Sequence, residues 1–238
     1  MSENKLFGKT IIWDGDSLCA GNAIKGNWAT RIAERNEMVF KNYAVGGGTV
    51  AEGMPDFKSG GKRHCVSITL EKMYKEYPDA DYVILEGGSN DADLYVREGK
   101  DLDFYIGHVD PFDFGGEYDR TTFAGALESV FFRAVKYWCG KKIGFIIAHK
   151  MGPEPDKFRN RDKLFAIVDT VARKWGIPVL DLWHGCYLNP YLPWMYDASL
   201  TPEENNEKNE GFYVDGQHLT AKGYDFTSEL VETWLKTL

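Results

Sequence analysis

The sequence predicts an α/β protein whose parallel sheet is covered by helices on both faces. Two observations carry that expectation. Five short, continuous, β-rich apolar runs punctuate the 238 residues, and amphipathic stretches with helical spacing separate them. Continuous apolar runs mark strands buried on both faces, and strand–helix alternation makes successive strands parallel.

The first run, Thr10 to Trp13, ends at Asp14-Gly15-Asp16. A short helix follows from Trp28 to Glu34, then a second run, Met38 to Phe40, before Asn42 and a glycine cluster. Val66 to Tyr77 sets Ile68, Leu70, Met73 and Tyr74 at helical spacing and leads to the third run, Tyr82 to Leu85, which glycines stop. Phe123 to Trp138 is an amphipathic helix before the fourth run, Ile143 to Ala148. Phe158 to Trp175 carries Leu164, Ile167, Val168 and Val171 on one face and precedes the fifth run, Ile177 to Leu180. Leu219 to Leu238 closes the chain as a helix with Leu230, Val231 and Leu235 inward.

One stretch breaks the rhythm. Residues 93–122 are acidic, aromatic and marked by Gly and Pro, with no regular period. A long irregular insertion of this kind is usually functional or mobile. It leaves the sheet directly after Asn90, so it is expected to border the rim at the strand ends, with Tyr95, Phe104, Tyr105, Phe112 and Phe114 free to pack over it; a surface excursion or a subunit contact is the alternative. With no repeat or linker elsewhere, the chain reads as one domain, 1–238.

Composition narrows the function classes. Hydrophobic residues make up 43% and aromatics 14%, enough for one packed core, and the 27% of charged residues argues against a membrane protein. No run is long and apolar enough to span a bilayer, and a net charge of −8 gives no support for nucleic acid as a partner. No apolar leader precedes Thr10, so a cytoplasmic location is expected. Cys19, Cys65, Cys139 and Cys186 are scattered without a CxxC pair and read as reduced thiols.

In parallel α/β sheets, ligands bind beyond the carboxyl ends of the strands. After the first run comes Gly15-Asp16-Ser17-Leu18; after the second, Asn42 to Thr49 with Gly46-Gly47-Gly48; after the third, Gly88-Ser89-Asn90-Asp91. Asp215-Gly-Gln-His218 stands just before the last helix. These are the parts of acyl transfer. A serine hydroxyl needs a base, and His218 can serve. Asp215 can take the other ring N–H and fix the tautomer. An oxyanion needs preorganised donors, which the Ser17 and Gly47 backbone N–H groups and the Asn90 amide could supply.

Taken together, the four blocks resemble the SGNH (GDSL-like) hydrolase family, named for Ser, Gly, Asn and His. The resemblance assigns Ser17 as nucleophile and His218 with Asp215 as base and acid. It selects Gly47, five places after Asn42, and Asn90 as oxyanion donors. It implies a flavodoxin-like three-layer α/β/α sandwich with a five-stranded parallel sheet. It also implies a serine esterase that uses no metal and no cofactor and acts on a small-molecule ester, with short acyl groups on a polar or carbohydrate alcohol favoured. A lipid or thioester hydrolase, and a non-catalytic ligand-binding module, are the alternatives. Association into a homo-oligomer stays open.

Asp16, His149, Trp194 and Tyr196 are expected to line the substrate pocket, the last two from an aromatic loop after the fifth run. His149, at the end of the fourth run, reads as a residue of the pocket rim or of the core, and is also the rival base. His64, His108 and His184 are read as lacking a carboxylate at suggestive spacing. Asp91 and Asp93 are read as solvated loop acids, since no ligand set for a cation accompanies them.

Overall fold

The computed structural model describes residues 4–21, 26–54, 60–97, 102–152 and 155–238. Strands β1 (Thr10–Asp14), β2 (Val39–Asn42), β3 (Tyr82–Glu86), β4 (Lys142–Ile147) and β5 (Val179–Asp181) form one sheet, ordered β2-β1-β3-β4-β5 and parallel throughout. The helices are α1 (Ser17–Ala20), α2 (Trp28–Asn36), α3 (Val66–Glu76), α4 (Ser89–Arg97), α5 (Leu102–Ile106), α6 (Phe123–Tyr137), α7 (Pro155–Trp175), α8 (Leu182–Gly185), α9 (Pro202–Lys208) and α10 (Ala221–Leu235).

Neighbouring residues of β4 show why the sheet has two covered faces. Side chains alternate along a strand. A Cβ added at Gly144 would lie 2.4 Å from Trp234 of α10, whereas the Phe145 ring stacks edge-on against Phe131 of α6, 5.6 Å between centroids. Right-handed crossovers produce the same division. The chain moves one way from β1 to β2 and the other way from β2 onwards, so α2 and α10 pair on one face while α3, α6 and α7 pack together on the other. The strand order reverses between β1 and β3, which opens a crevice at their carboxyl ends.

Four of the five expected runs are inside or half-inside the molecule. The second is so only at Met38: β2 is an edge strand, and Val39 and Phe40 are exposed. Continuous apolarity there reflects an edge with one sheet neighbour. Among the described residues no helix is long and apolar enough to cross a membrane.

Residues 93–122 depart from expectation in two ways. The stretch is partly helical, holding the end of α4 and all of α5. Its middle does not cover the rim. Helix α7 starts beyond the carboxyl end of β4 and runs 21 residues back along the sheet, about 30 Å at 1.5 Å per residue. Trp175, its last residue, therefore lies at the opposite edge, and the Phe114 and Tyr118 rings pack on it at 5.3 and 6.3 Å. Lys174 Nζ donates to Asp110 O (2.7 Å) and to buried Glu128 Oε1 (2.8 Å), which also takes the Trp175 indole N–H on its other oxygen. Phe112, 87% exposed, covers nothing. The end of the stretch turns back towards the segment after the glycine loop, where Glu52 N–H donates to Arg120 O at 2.7 Å. The driving force is burial of aromatic surface against Trp175 rather than enclosure of a pocket.

Candidate functional site

Ser17 opens α1 directly after β1. The Asp16 carboxylate caps that helix by accepting from Leu18 N–H at 2.8 Å. The bend before it needs glycine: a Cβ at Gly15 would come 2.6 Å from Glu86 Oε2. Ser17 is left half-buried, and its Oγ lies 3.0 Å from His218 Nε2 although 201 residues separate them. His218 Nδ1 lies 2.7 Å from Asp215 Oδ2.

Asp215 is shaped for this role by its own turn. Its Oδ1 accepts the backbone N–H groups of Gln217 (3.0 Å) and His218 (2.7 Å). Burial would raise the carboxyl, but the His218 ring and these N–H groups outweigh it and hold Asp215 at about 2. It is therefore an anion at neutral pH, which makes Nδ1 the protonated ring nitrogen and leaves Nε2 as acceptor for the Ser17 hydroxyl.

Asn90, at the start of α4, points its amide at the same turn. Nδ2–H donates to Asp16 Oδ2 at 3.0 Å and to Gly48 O at 3.1 Å. The glycine loop passes beside Ser17: a Cβ built on Gly46 would lie 3.9 Å from Ser17 Cβ. Gly47 has φ +80°, a left-handed conformation that favours glycine, and its carbonyl accepts from Arg63 Nη1 at 2.6 Å.

Beneath the serine lies a group of buried acids. Asp16 N–H donates to Glu86 Oε2 at 3.0 Å, and both carboxyls are fully enclosed. Burial and then the Asp16 charge push Glu86 far up, so Glu86 holds the proton of the pair. Asp16 stays the acceptor for Leu18 and Asn90. It is a support under Ser17, not a wall of an open pocket as expected. Asp91 is not a solvated loop acid either. It is buried, accepts from Val50 and Ala51 N–H (3.0 and 2.8 Å), and is raised to about 6 by burial. Asp93 forms a buried ion pair with Arg161 at 2.8 Å. Sequence reading missed Glu86 and Arg161, and a charge ending or facing an apolar stretch was the signal that could have found them.

His149 is fully buried, so of the two places open to it, pocket rim or core, it takes the core. Its Nε2–H donates to Gln217 O at 2.8 Å, and burial pushes its pKa down to about 4. It has no route to the serine proton and supports the Asp215–His218 turn from within. Tyr196 lies beside that turn; a Cβ at Gly216 would touch its ring at 3.2 Å. Trp194 is 69% exposed and lines a cavity of about 280 Å³ with Pro193, Asp197, Lys208 and Glu210, and no residue of the Ser17 group lines it.

Two other histidines do have carboxylate partners. His64 Nε2 lies 2.8 Å from Asp14 Oδ1, a pairing across 50 residues. His184 Nδ1 lies 2.6 Å from Asp181 Oδ2, at the same three-residue spacing as His218 and Asp215.

With this geometry in place, comparison with known proteins is informative. The model of the GDSL-like lipase/acylhydrolase family matches residues 15–226. Among solved structures, the chain resembles a protein from Lactobacillus plantarum at 18% identity, over 97% of this chain and 98% of that one, with a TM-score of 0.71. It also resembles a carbohydrate acetylesterase family member from Sinorhizobium meliloti at 14% identity, over 96% and 98%, with a TM-score of 0.60. For the aryl esterase of M. smegmatis the figures are 15% identity, 97% and 100% coverage, and a TM-score of 0.62. No curated protein matches the chain. At such identities these structural likenesses speak for the fold alone.

Proposed function

We propose that this chain, which belongs to the GDSL-like lipase/acylhydrolase family, is a serine esterase that works through an acyl-enzyme on Ser17. The observation that carries the reading is the unbroken hydrogen-bonded line from Ser17 Oγ through the His218 ring to Asp215. A neutral imidazole with its Nδ1–H held by a carboxylate presents a lone pair to the hydroxyl, so His218 takes the proton as Ser17 Oγ attacks the ester carbonyl. His218 then returns that proton to the leaving alcohol. It next takes a proton from water as the water oxygen attacks the acyl carbon, and gives that proton to Ser17 Oγ as the C–Oγ bond breaks, which releases the acid and frees Ser17.

The oxyanion would be met by the Ser17 and Gly47 N–H groups and the Asn90 amide. Both Asn90 amide hydrogens have acceptors in the resting site, so one is shared with the oxyanion as it forms. The preferred substrate is a short acyl group on a polar or carbohydrate alcohol. The acetylesterase among the structural relatives favours this class, as does the packing of Phe114 and Tyr118 away from the rim, where they build no apolar groove for a long chain.

The test is a series of p-nitrophenyl esters from acetyl to long-chain acyl, followed by the Ser17→Ala variant. The expected optimum is acetyl, and Ser17→Ala is expected to lose about 10⁴-fold or more in kcat while far-UV CD and Tm stay unchanged. Turnover by Ser17→Ala near the wild-type rate would remove the nucleophile from the scheme. A long-chain optimum would move the protein to the lipid class.

A further inference from the structure

Arg161, on α7, is an almost completely buried charge, its side chain 2% exposed. Its Nη2 donates to Asp93 Oδ2 at 2.8 Å and to Gln217 Oε1 at 3.1 Å. Asp93 sits on α4, three residues after Asn90, and Gln217 immediately precedes His218. One guanidinium thus touches both the helix that carries the oxyanion amide and the turn that carries the base.

Gln217 is held at three of its atoms. Its side-chain oxygen accepts from Arg161, its backbone carbonyl accepts from buried His149 Nε2–H, and its N–H donates to Asp215 Oδ1 at 3.0 Å. The His218 carbonyl is tied as well, accepting Val214 N–H at 2.8 Å. The residue next to the base has little freedom left, and the imidazole inherits that restriction.

Stability does not account for this arrangement. Withdrawing an ion pair from water costs about as much as the contact returns, and apolar residues of the same shape often do as well. Here the cost is raised further, because Arg161 Nε and Asp93 Oδ1 are buried without hydrogen-bond partners. What the pair does supply is a fixed distance between two elements that are far apart in sequence. Its charge also reaches Asp16: burial pushes that carboxyl up, and Arg161 is among the cations that oppose the rise. Asp16 in turn receives the Asn90 amide.

We infer that Arg161, paired with Asp93 and aided by His149, is a positioning residue that clamps α4 to the Asp215–His218 turn and keeps base and oxyanion amide in register with Ser17. The inference rests on the esterase reading above. Its action is on geometry: displacement of a catalytic group by about 1 Å can cost about 10²-fold in rate without touching substrate affinity.

Gln217→Met is the leading test. Gln217 is half-buried, and the substitution removes the side-chain link while leaving its backbone bonds to His149 and Asp215. The expected result is a fall of about tenfold in kcat for p-nitrophenyl acetate with KM held within about twofold. The His218 Nδ1–H, followed by NMR, is expected to exchange with water faster to a similar degree. The double variant Arg161→Met/Asp93→Leu removes both charges, so no lone ion is left buried, and should reproduce the kcat loss. Adding Gln217→Met to it should cost little more, because the two changes release one clamp. Wild-type kcat and wild-type exchange in both Gln217→Met and the double variant would overturn the inference. If the wild-type protein hydrolyses no ester, the proposed reaction falls, and the exchange rate alone decides the clamp.

Discussion

Asp181-Leu-Trp-His184 and Asp215-Gly-Gln-His218 form the same local structure in different surroundings. In each, the aspartate Oδ1 takes the backbone N–H of the histidine, at 3.0 and 2.7 Å, and Oδ2 meets the ring Nδ1, at 2.6 and 2.7 Å. The pairing is a product of spacing: a carboxylate three residues before a histidine can cap the turn and reach the ring at once. The difference lies at the far nitrogen. His218 Nε2 faces Ser17 Oγ at 3.0 Å, whereas His184 Nε2 faces the carboxylate of Asp162 at 3.5 Å. A carboxylate–imidazole pair is therefore cheap to make locally, and becomes a catalytic device only where the fold delivers a hydroxyl to it.

The sharpest way to break the comparison is to remove each ring in turn. His218→Ala is expected to lose about 10⁴-fold or more in kcat, and His184→Ala to stay within about twofold of wild type, because a surface substitution away from the site is close to neutral. Equal losses in a p-nitrophenyl acetate assay would mean that the two pairs are not functionally distinct. The next largest effect belongs to the oxyanion side. Asn90→Ala should lower kcat by about 10²–10³ with little change in KM. A pure KM effect in the same steady-state measurement would make Asn90 a substrate-holding residue.

Acid titration sharpens the comparison further. The base must be neutral to accept the serine proton, so kcat/KM should rise with pH through a single ionisation that is lost in His218→Ala, and should be indifferent to EDTA. Asp215 adds no second limb there. Its folded value, about 2, lies below its ordinary value of 3.8, so its stabilising contribution is fully present above 3.8 and is lost as pH falls from there through 2. An acid limb that survives in His218→Ala but vanishes in His149→Ala would transfer the role of base to His149.

The smallest effect on activity is expected at the far edge of the sheet. Lys174→Met leaves the buried Glu128 carboxylate without its cation and should cost about 3–5 kcal/mol of stability, read as a lowered denaturation midpoint. The ratio of rates on short and long acyl esters should stay constant, since Phe114, Tyr118 and Trp175 lie away from Ser17. A changed ratio would return residues 93–122 to the role of a lid.

Much of the site was legible because its parts are local. Ser17, Asn90 and the Asp215–His218 pair each stand at the end of an apolar run or before a helix, where backbone geometry alone exposes a side chain. The strands and long helices followed from periodicity for the same reason. What was not legible depended on partners distant in sequence. Asp91 and Asp93 look like solvated acids until Val50, Ala51 and Arg161 arrive from elsewhere. Phe114 and Tyr118 look like part of a lid until Trp175 offers a better surface.

By itself the sequence determined the alternation of strand and helix, the residue types for acyl transfer and the order in which they meet the chain. These are set by side-chain periodicity and by neighbours a few residues away. Only the tertiary structure set His218 Nε2 3.0 Å from the Ser17 hydroxyl and His184 Nε2 beside Asp162, sealed His149 inside and left Trp194 in the open. It also decided that one buried arginine joins α4 to the final turn. The physical reason is that burial and long-range pairing belong to the packed whole. A residue's environment is the sum of elements that only the folded sheet brings together, and no window of sequence contains them.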